Sequence, residues 1–64
     1  MSRDTVDDMA RRVMLGHSCT TSSWATAMSV YRRVRSITGA LCDVETEIVR
    51  GRGPVFTIRI GGRP

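Results

Sequence analysis

The sequence predicts an α+β fold in which two helices are followed by a β-hairpin. Two stretches repeat apolar residues at helical spacing, and the last third of the chain alternates apolar and polar residues. A turn rich in glycine and proline divides that alternating stretch in two. The 64 residues suffice for a single domain, 1–64, with a small hydrophobic core.

The first helix is predicted over residues 4–15. Acidic residues fall in its first turn and basic residues near its end, an order that suits the helix dipole. Gly16 then supplies the left-handed conformation that ends many helices. The residues expected to form its buried stripe are Val6, Met9, Ala10 and Val13.

A second helix is predicted over residues 22–38, after a polar link at 17–21. Ser22 is an N-cap residue type, and no glycine or proline interrupts the stretch before Gly39. The expected buried stripe is Ala27, Val30, Tyr31, Val34 and Ile37, with Trp24 and Met28 at its edge. The opposite side is expected to carry Ser22, Thr26, Ser29, Arg33 and Ser36, flanked by Arg32 and Arg35.

The hairpin is predicted to have strands at 41–49 and 55–61, joined by a turn at 50–54. Placing Val49 opposite Val55 satisfies both faces of the hairpin. The inner face then pairs Ile48 with Phe56, Thr46 with Ile58 and Val44 with Ile60, and the outer face pairs Glu45 with Arg59.

The charge of the chain favours a polyanionic partner. All ten basic residues are arginines, and the formal net charge is +4. No apolar run is long enough to span a membrane, and the amino terminus does not resemble a secretory signal. We therefore expect a cytoplasmic protein whose two cysteines are free thiols.

The order of helix, short link, helix, glycine and hairpin resembles a winged helix-turn-helix, similar to small phage excisionases and repressor-type regulators. Ala10 takes the packing position, 15–18 the turn, 20–35 the recognition helix, and 39–41 the passage into the wing. Most winged helices have a further helix before these two. The shorter layout of two helices and a wing, similar to phage excisionases and other small regulators, accommodates its absence; otherwise a dimer partner must cover the exposed face. The resemblance implies binding of double-stranded DNA as a homodimer or a cooperative array, in regulation of transcription or recombination.

The residue chemistry also favours DNA. Small hydroxyl residues early in the second helix can approach base edges or phosphates, and Arg33 can read guanine or hold a phosphate. Arginines beside that stripe and in the hairpin turn suit phosphate or minor-groove contacts. The predicted DNA-binding residues are Thr21, Ser22, Ser23, Thr26, Ser29, Arg32, Arg33, Arg35, Arg50 and Arg52.

A second hypothesis is a protein-interaction module, such as a phage-type inhibitor or adaptor, which would use exposed apolar residues at Met14, Trp24 and Met28. Trp24 and Tyr31 are expected to pack in the core rather than stack on bases. No catalytic site, metal or cofactor is expected. His17, Cys19 and Cys42 lack a suitably spaced fourth metal ligand, and so short a chain builds a concave pocket with difficulty.

Overall fold

The computed structural model describes residues 3–61 and contains two helices and a three-stranded antiparallel sheet. The elements are α1 (Arg3–Met14), β1 (Cys19–Thr21), α2 (Trp24–Thr38), β2 (Cys42–Val49) and β3 (Gly53–Ile60). The predicted α+β class, with two helices and a carboxyl-terminal hairpin, is confirmed, and the layout is compatible with a helix-turn-helix followed by a wing. No helix in the described range is long and apolar enough to cross a membrane.

Glycines end both helices, as their positions in the sequence predict. Gly16 has φ 95° after α1, and Gly39 has φ 76° at the carboxyl end of α2. The start of α2 is set by Ser23, whose Oγ accepts a hydrogen bond from the Thr26 N–H at 3.2 Å. The helix therefore begins two residues later than the predicted position 22.

Strand β1 lies between the two helices in the sequence and was not predicted. It pairs with β3, placing Cys19 opposite Ile58 and Thr21 opposite Phe56, so that β3 is the central strand in the order β1-β3-β2. Three residues are too few to show an alternating pattern. The link that the sequence presents as polar thus contributes a buried residue, Cys19, to the core.

The predicted register of the hairpin is wrong by two residues. The turn contains three residues, 50–52, because Gly53 and Pro54 belong to β3. Proline is tolerated there since β1 pairs with β3 only farther along, leaving that side of Pro54 without a partner strand in the described part of the chain. The observed inner-face pairs are Cys42 with Ile60, Val44 with Ile58, Thr46 with Phe56 and Ile48 with Pro54.

The shift changes the geometry of the predicted ion pair but leaves its partners in reach. Arg59 lies opposite Asp43, and Glu45 lies opposite Thr57. The guanidinium of Arg59 nevertheless reaches the carboxylate of Glu45 along the diagonal of the outer face.

Both helices pack on one face of the sheet, and the hydrophobic core lies between the helices and the sheet. Its buried members are Ala10, Val13, Cys19, Ala27, Val30, Val34, Phe56 and Ile58. Four residues predicted to face the core are exposed instead: Ile37 at 59%, Ile48 at 75%, Ile60 at 37%, and Thr46. Ile37 lies in the last turn of α2 and Ile48 beside the hairpin turn, where the ends of these elements pass beyond the core.

Candidate nucleic-acid interface

The outer face of α2 is exposed along most of its length. Ser29, Arg32, Arg35 and Ser36 all lie on this side of the helix, away from the buried row formed by Ala27, Val30 and Val34. Since α2 has 15 residues, this face is about 22 Å long. These exposed positions agree with the predicted outer stripe, with one exception.

The exception is Thr26, which was predicted to contact DNA but is only 4% exposed. Thr26 precedes Val30 by four residues and Val34 by eight, so all three lie along one side of the helix. Its methyl group makes that burial possible. Thr26 therefore belongs to the core and is removed from the candidate interface.

Two further predicted residues support the local backbone. Thr21 Oγ1 accepts a hydrogen bond from the Ser23 N–H at 3.1 Å, and Ser23 Oγ caps α2. Both residues are half-buried. Ser22, which lies between them in the sequence, is exposed and takes part in neither of these hydrogen bonds.

Arg33 lies against the first helix. Its Nη2 is 3.0 Å from Asp7 Oδ1, and its side chain is 42% exposed. Arg33, Arg32, Ser29 and Ser36 also line a depression of about 460 Å³ at the junction with Val6 of α1. The arginine predicted to read bases is thus partly occupied by a contact within the protein.

Charges are separated on the surface of the described part. Asp43, Glu45 and Glu47 alternate along β2 on the sheet face turned away from the helices.

Three arginines in the described part form ion pairs, namely Arg11, Arg33 and Arg59. Among side chains from position 5 to 61, the arginines that form no ion pair are Arg12, Arg32, Arg35, Arg50 and Arg52.

The hairpin turn brings one of these arginines close to the start of α2. The Arg52 N–H donates to the Val49 carbonyl at 2.9 Å, and Gly51 takes φ 81° within the turn. Arg52 and Val55 then line a depression of about 240 Å³ together with Thr20, Thr21 and Ser22. Thr20 was not predicted as a site residue, because its proximity to the hairpin depends on the unpredicted strand β1.

The two cysteines are free thiols, and their surroundings do not favour the thiolate that acts as a nucleophile or metal ligand. Burial raises the pKa of Cys19, an effect that the nearby positive charge of Arg12 partly offsets, and Cys19 Sγ donates to the Met9 carbonyl at 3.3 Å. Burial and the charge of Asp43 raise the pKa of Cys42. Both thiols are therefore protonated at neutral pH. Within the described range, no three His, Cys, Asp or Glu side chains form a group that could hold a metal ion.

The aromatic residues of α2 pack partly against the core. The ring of Trp24 meets Phe56 edge to face, with 5.3 Å between the centroids, although Trp24 remains 54% exposed. Tyr31 is half-buried.

Searches against protein-family models, curated proteins and solved structures find no match to this chain.

Proposed function

We propose that this protein is a non-catalytic cytoplasmic regulator that binds double-stranded DNA through α2 and the hairpin turn. The observation that carries the proposal is the position of the arginines without ion pairs. Four of the five in the described part are Arg32 and Arg35 on α2, and Arg50 and Arg52 in the turn. The acidic side chains of β2 lie on the sheet face turned away from α2, so they do not oppose the approach of a polyanion to the outer face of that helix.

The dimensions of α2 suit the major groove. The groove of B-form DNA is about 12 Å wide and admits one α-helix. The small side chain of Ser29 on the outer face permits close approach to base edges. Arg32 and Arg35 beside it are placed to hold phosphates, which position a protein without reading sequence.

The hairpin turn supplies a second point of contact. Arg50 and Arg52 are both exposed, and Arg52 shares a depression with residues just before α2. The turn and the start of the helix therefore form one surface. In the proposed complex, the turn holds the DNA backbone while α2 enters the groove.

The test of this proposal compares the loss of arginines that form no ion pair with the loss of arginines that form one, at equal change in net charge. Arg32→Ala/Arg35→Ala and Arg50→Ala/Arg52→Ala each remove two unpaired charges, whereas Arg11→Ala/Arg59→Ala removes two paired ones. Fluorescence anisotropy with a labelled duplex at about 50 mM salt should show at least tenfold weaker binding for the first two variants and a smaller change for the third. Equal losses in all three would indicate attraction by net charge alone and would overturn the proposed interface.

A second candidate function is binding of another protein, including a second copy of this chain in a homodimer or cooperative array. It is favoured by large apolar side chains that the described fold leaves exposed, namely Leu15, Trp24, Ile37, Leu41, Ile48 and Ile60. Sedimentation of the protein with and without duplex DNA distinguishes the two functions. A stable oligomer that forms without DNA and does not bind DNA would favour this alternative.

A further inference from the structure

We propose that the exposed side of β1 seats the sugar–phosphate backbone of one DNA strand, with Arg12 of α1 at one end and Arg52 of the hairpin turn at the other. This inference rests on the proposed function and extends the interface to the first helix. It assigns Arg12, Ser18 and Thr20 to DNA binding, and of the base and phosphate contacts that the sequence leaves open for Ser22 it assigns the phosphate.

Two depressions meet on β1. One of about 380 Å³ lies between α1 and β1, and its lining includes Arg12, Ser18, Cys19 and Thr20. The other, of about 240 Å³, lies between β1 and the hairpin turn and includes Thr20, Ser22 and Arg52. Thr20 lines both, so the depressions adjoin and lead from one unpaired arginine to the other.

The side chains along this path are hydrogen-bond donors of the kind that hold phosphate oxygens. Ser18, Thr20 and Ser22 are exposed and occupy alternate positions, while Cys19 between them points into the core. Ser18 lies just before β1 and Ser22 just after it, and the two line different depressions, so the three hydroxyl groups extend along the chain rather than converge on one point. Such a row suits an extended polymer better than a single small anion.

The middle of the path shares the outer face of the sheet with an acidic residue that is already paired. Thr20 lies opposite Thr57, and Thr57 lies opposite Glu45, whose carboxylate forms an ion pair with Arg59.

The charge at the amino-terminal end of the path is positive despite one acidic residue. Asp8 lines the first depression, but its Oδ1 lies 3.4 Å from Arg11 Nη1. Arg12 forms no ion pair with a described residue, and its charge acts on the neighbouring Cys19 thiol. The charge of Arg12 thus remains available to an anion that lies along β1.

The chain offers a matched pair of variants for the test. Arg11→Ala and Arg12→Ala remove the same charge from adjacent positions on α1, but only Arg12 lies without an ion-pair partner beside β1. Loss of one phosphate contact should lower affinity for duplex DNA roughly 15-fold at 50 mM salt and roughly fourfold at 200 mM. We expect these losses for Arg12→Ala, and a change of less than about threefold for Arg11→Ala, whose charge is already met by Asp8.

Amide chemical shifts supply a second readout. Duplex DNA should shift the amide resonances of Ser18, Thr20 and Ser22 in the wild-type protein, and inorganic phosphate at the same phosphate concentration should not. Equal affinity of the two arginine variants in a protein that still binds DNA would overturn the β1 site and leave the proposed function intact. Shifts with inorganic phosphate but not with DNA would identify a site for free phosphate and would also overturn it. Absence of any DNA binding by the wild type would remove the proposed function itself.

Discussion

Arg33 of α2 and Asp7 of α1 form an ion pair, with Nη2 and Oδ1 separated by 3.0 Å, and this contact links the two helices. Arg33 lies on the α1 side of α2, at the margin of the outer face. Its charge is balanced within the protein, whereas Arg32 beside it has no such partner. We therefore expect Arg33 to orient the helices and Arg32 to contact DNA.

The stability contribution of this pair should be small. Both side chains are more than one third exposed, so solvent screens the attraction, and the coupling between them should be about 0.5 kcal/mol. A double-mutant cycle with Arg33→Ala and Asp7→Ala, followed by urea denaturation, measures it. In the DNA assay, Arg33→Ala should weaken binding less than Arg32→Ala. A larger loss for Arg33→Ala would return it to the predicted role of a direct DNA contact.

Ser22 and Ser23 should separate binding from stability. Ser23→Ala removes the N-cap of α2 and should lower the free energy of unfolding by about 1 kcal/mol. Ser22→Ala removes an exposed hydroxyl and should change stability by less than about 0.5 kcal/mol while weakening DNA binding. Denaturation and anisotropy on both variants provide the comparison. The assignment fails if Ser22→Ala binds DNA like the wild type.

Ser29 and Arg52 should differ in how they affect sequence preference. Ser29→Ala should reduce the ratio of affinities for a selected site and a random duplex, because its side chain faces the base edges in the proposed complex. Arg52→Ala should lower both affinities by the same factor, because phosphates are common to every sequence. The site is first obtained by selection from a random library. Identical effects of the two variants on the affinity ratio would contradict this division.

Alkaline pH should destabilise the protein through its cysteines. Burial raises the pKa of both thiols in the folded state, so the unfolded chain ionises first, near pH 8.5. The free energy of unfolding should therefore fall as the pH rises above about 8.5. Urea denaturation at pH 7 and pH 9.5 checks this, and the variant Cys19→Ala/Cys42→Ala should show a weaker pH dependence. An unchanged pH dependence in that variant would show that other groups cause the loss.

The helical half of the fold was predictable because its signals are local. The repeats at Val6, Val13, Val30 and Val34 mark the buried faces, and Gly16 and Gly39 mark the ends. The hairpin also follows from local alternation. Its register does not, because Pro54 fits both a turn and the start of a strand, and only its pairing with Ile48 of β2 distinguishes the two.

The candidate site was predictable where exposure alone decides it, as for Arg32, Arg35, Arg50 and Arg52. Thr26 was misplaced because threonine suits either face of a helix, although its side chain is buried in the folded protein. The contact of Arg33 with Asp7 and the position of Thr20 beside Arg52 depend on residues distant in sequence. No short-range pattern contains that information.

The salt dependence of wild-type binding to duplex DNA tests the central claim most directly. Each phosphate contact adds about 0.9 to the slope of log affinity against log salt, so four arginines predict about −3.6 and the addition of Arg12 about −4.5. Between 50 and 200 mM salt, affinity should then fall roughly 150-fold with four contacts and roughly 500-fold with five. Failure to bind at 50 mM salt, or a slope near zero, would contradict an arginine–phosphate interface.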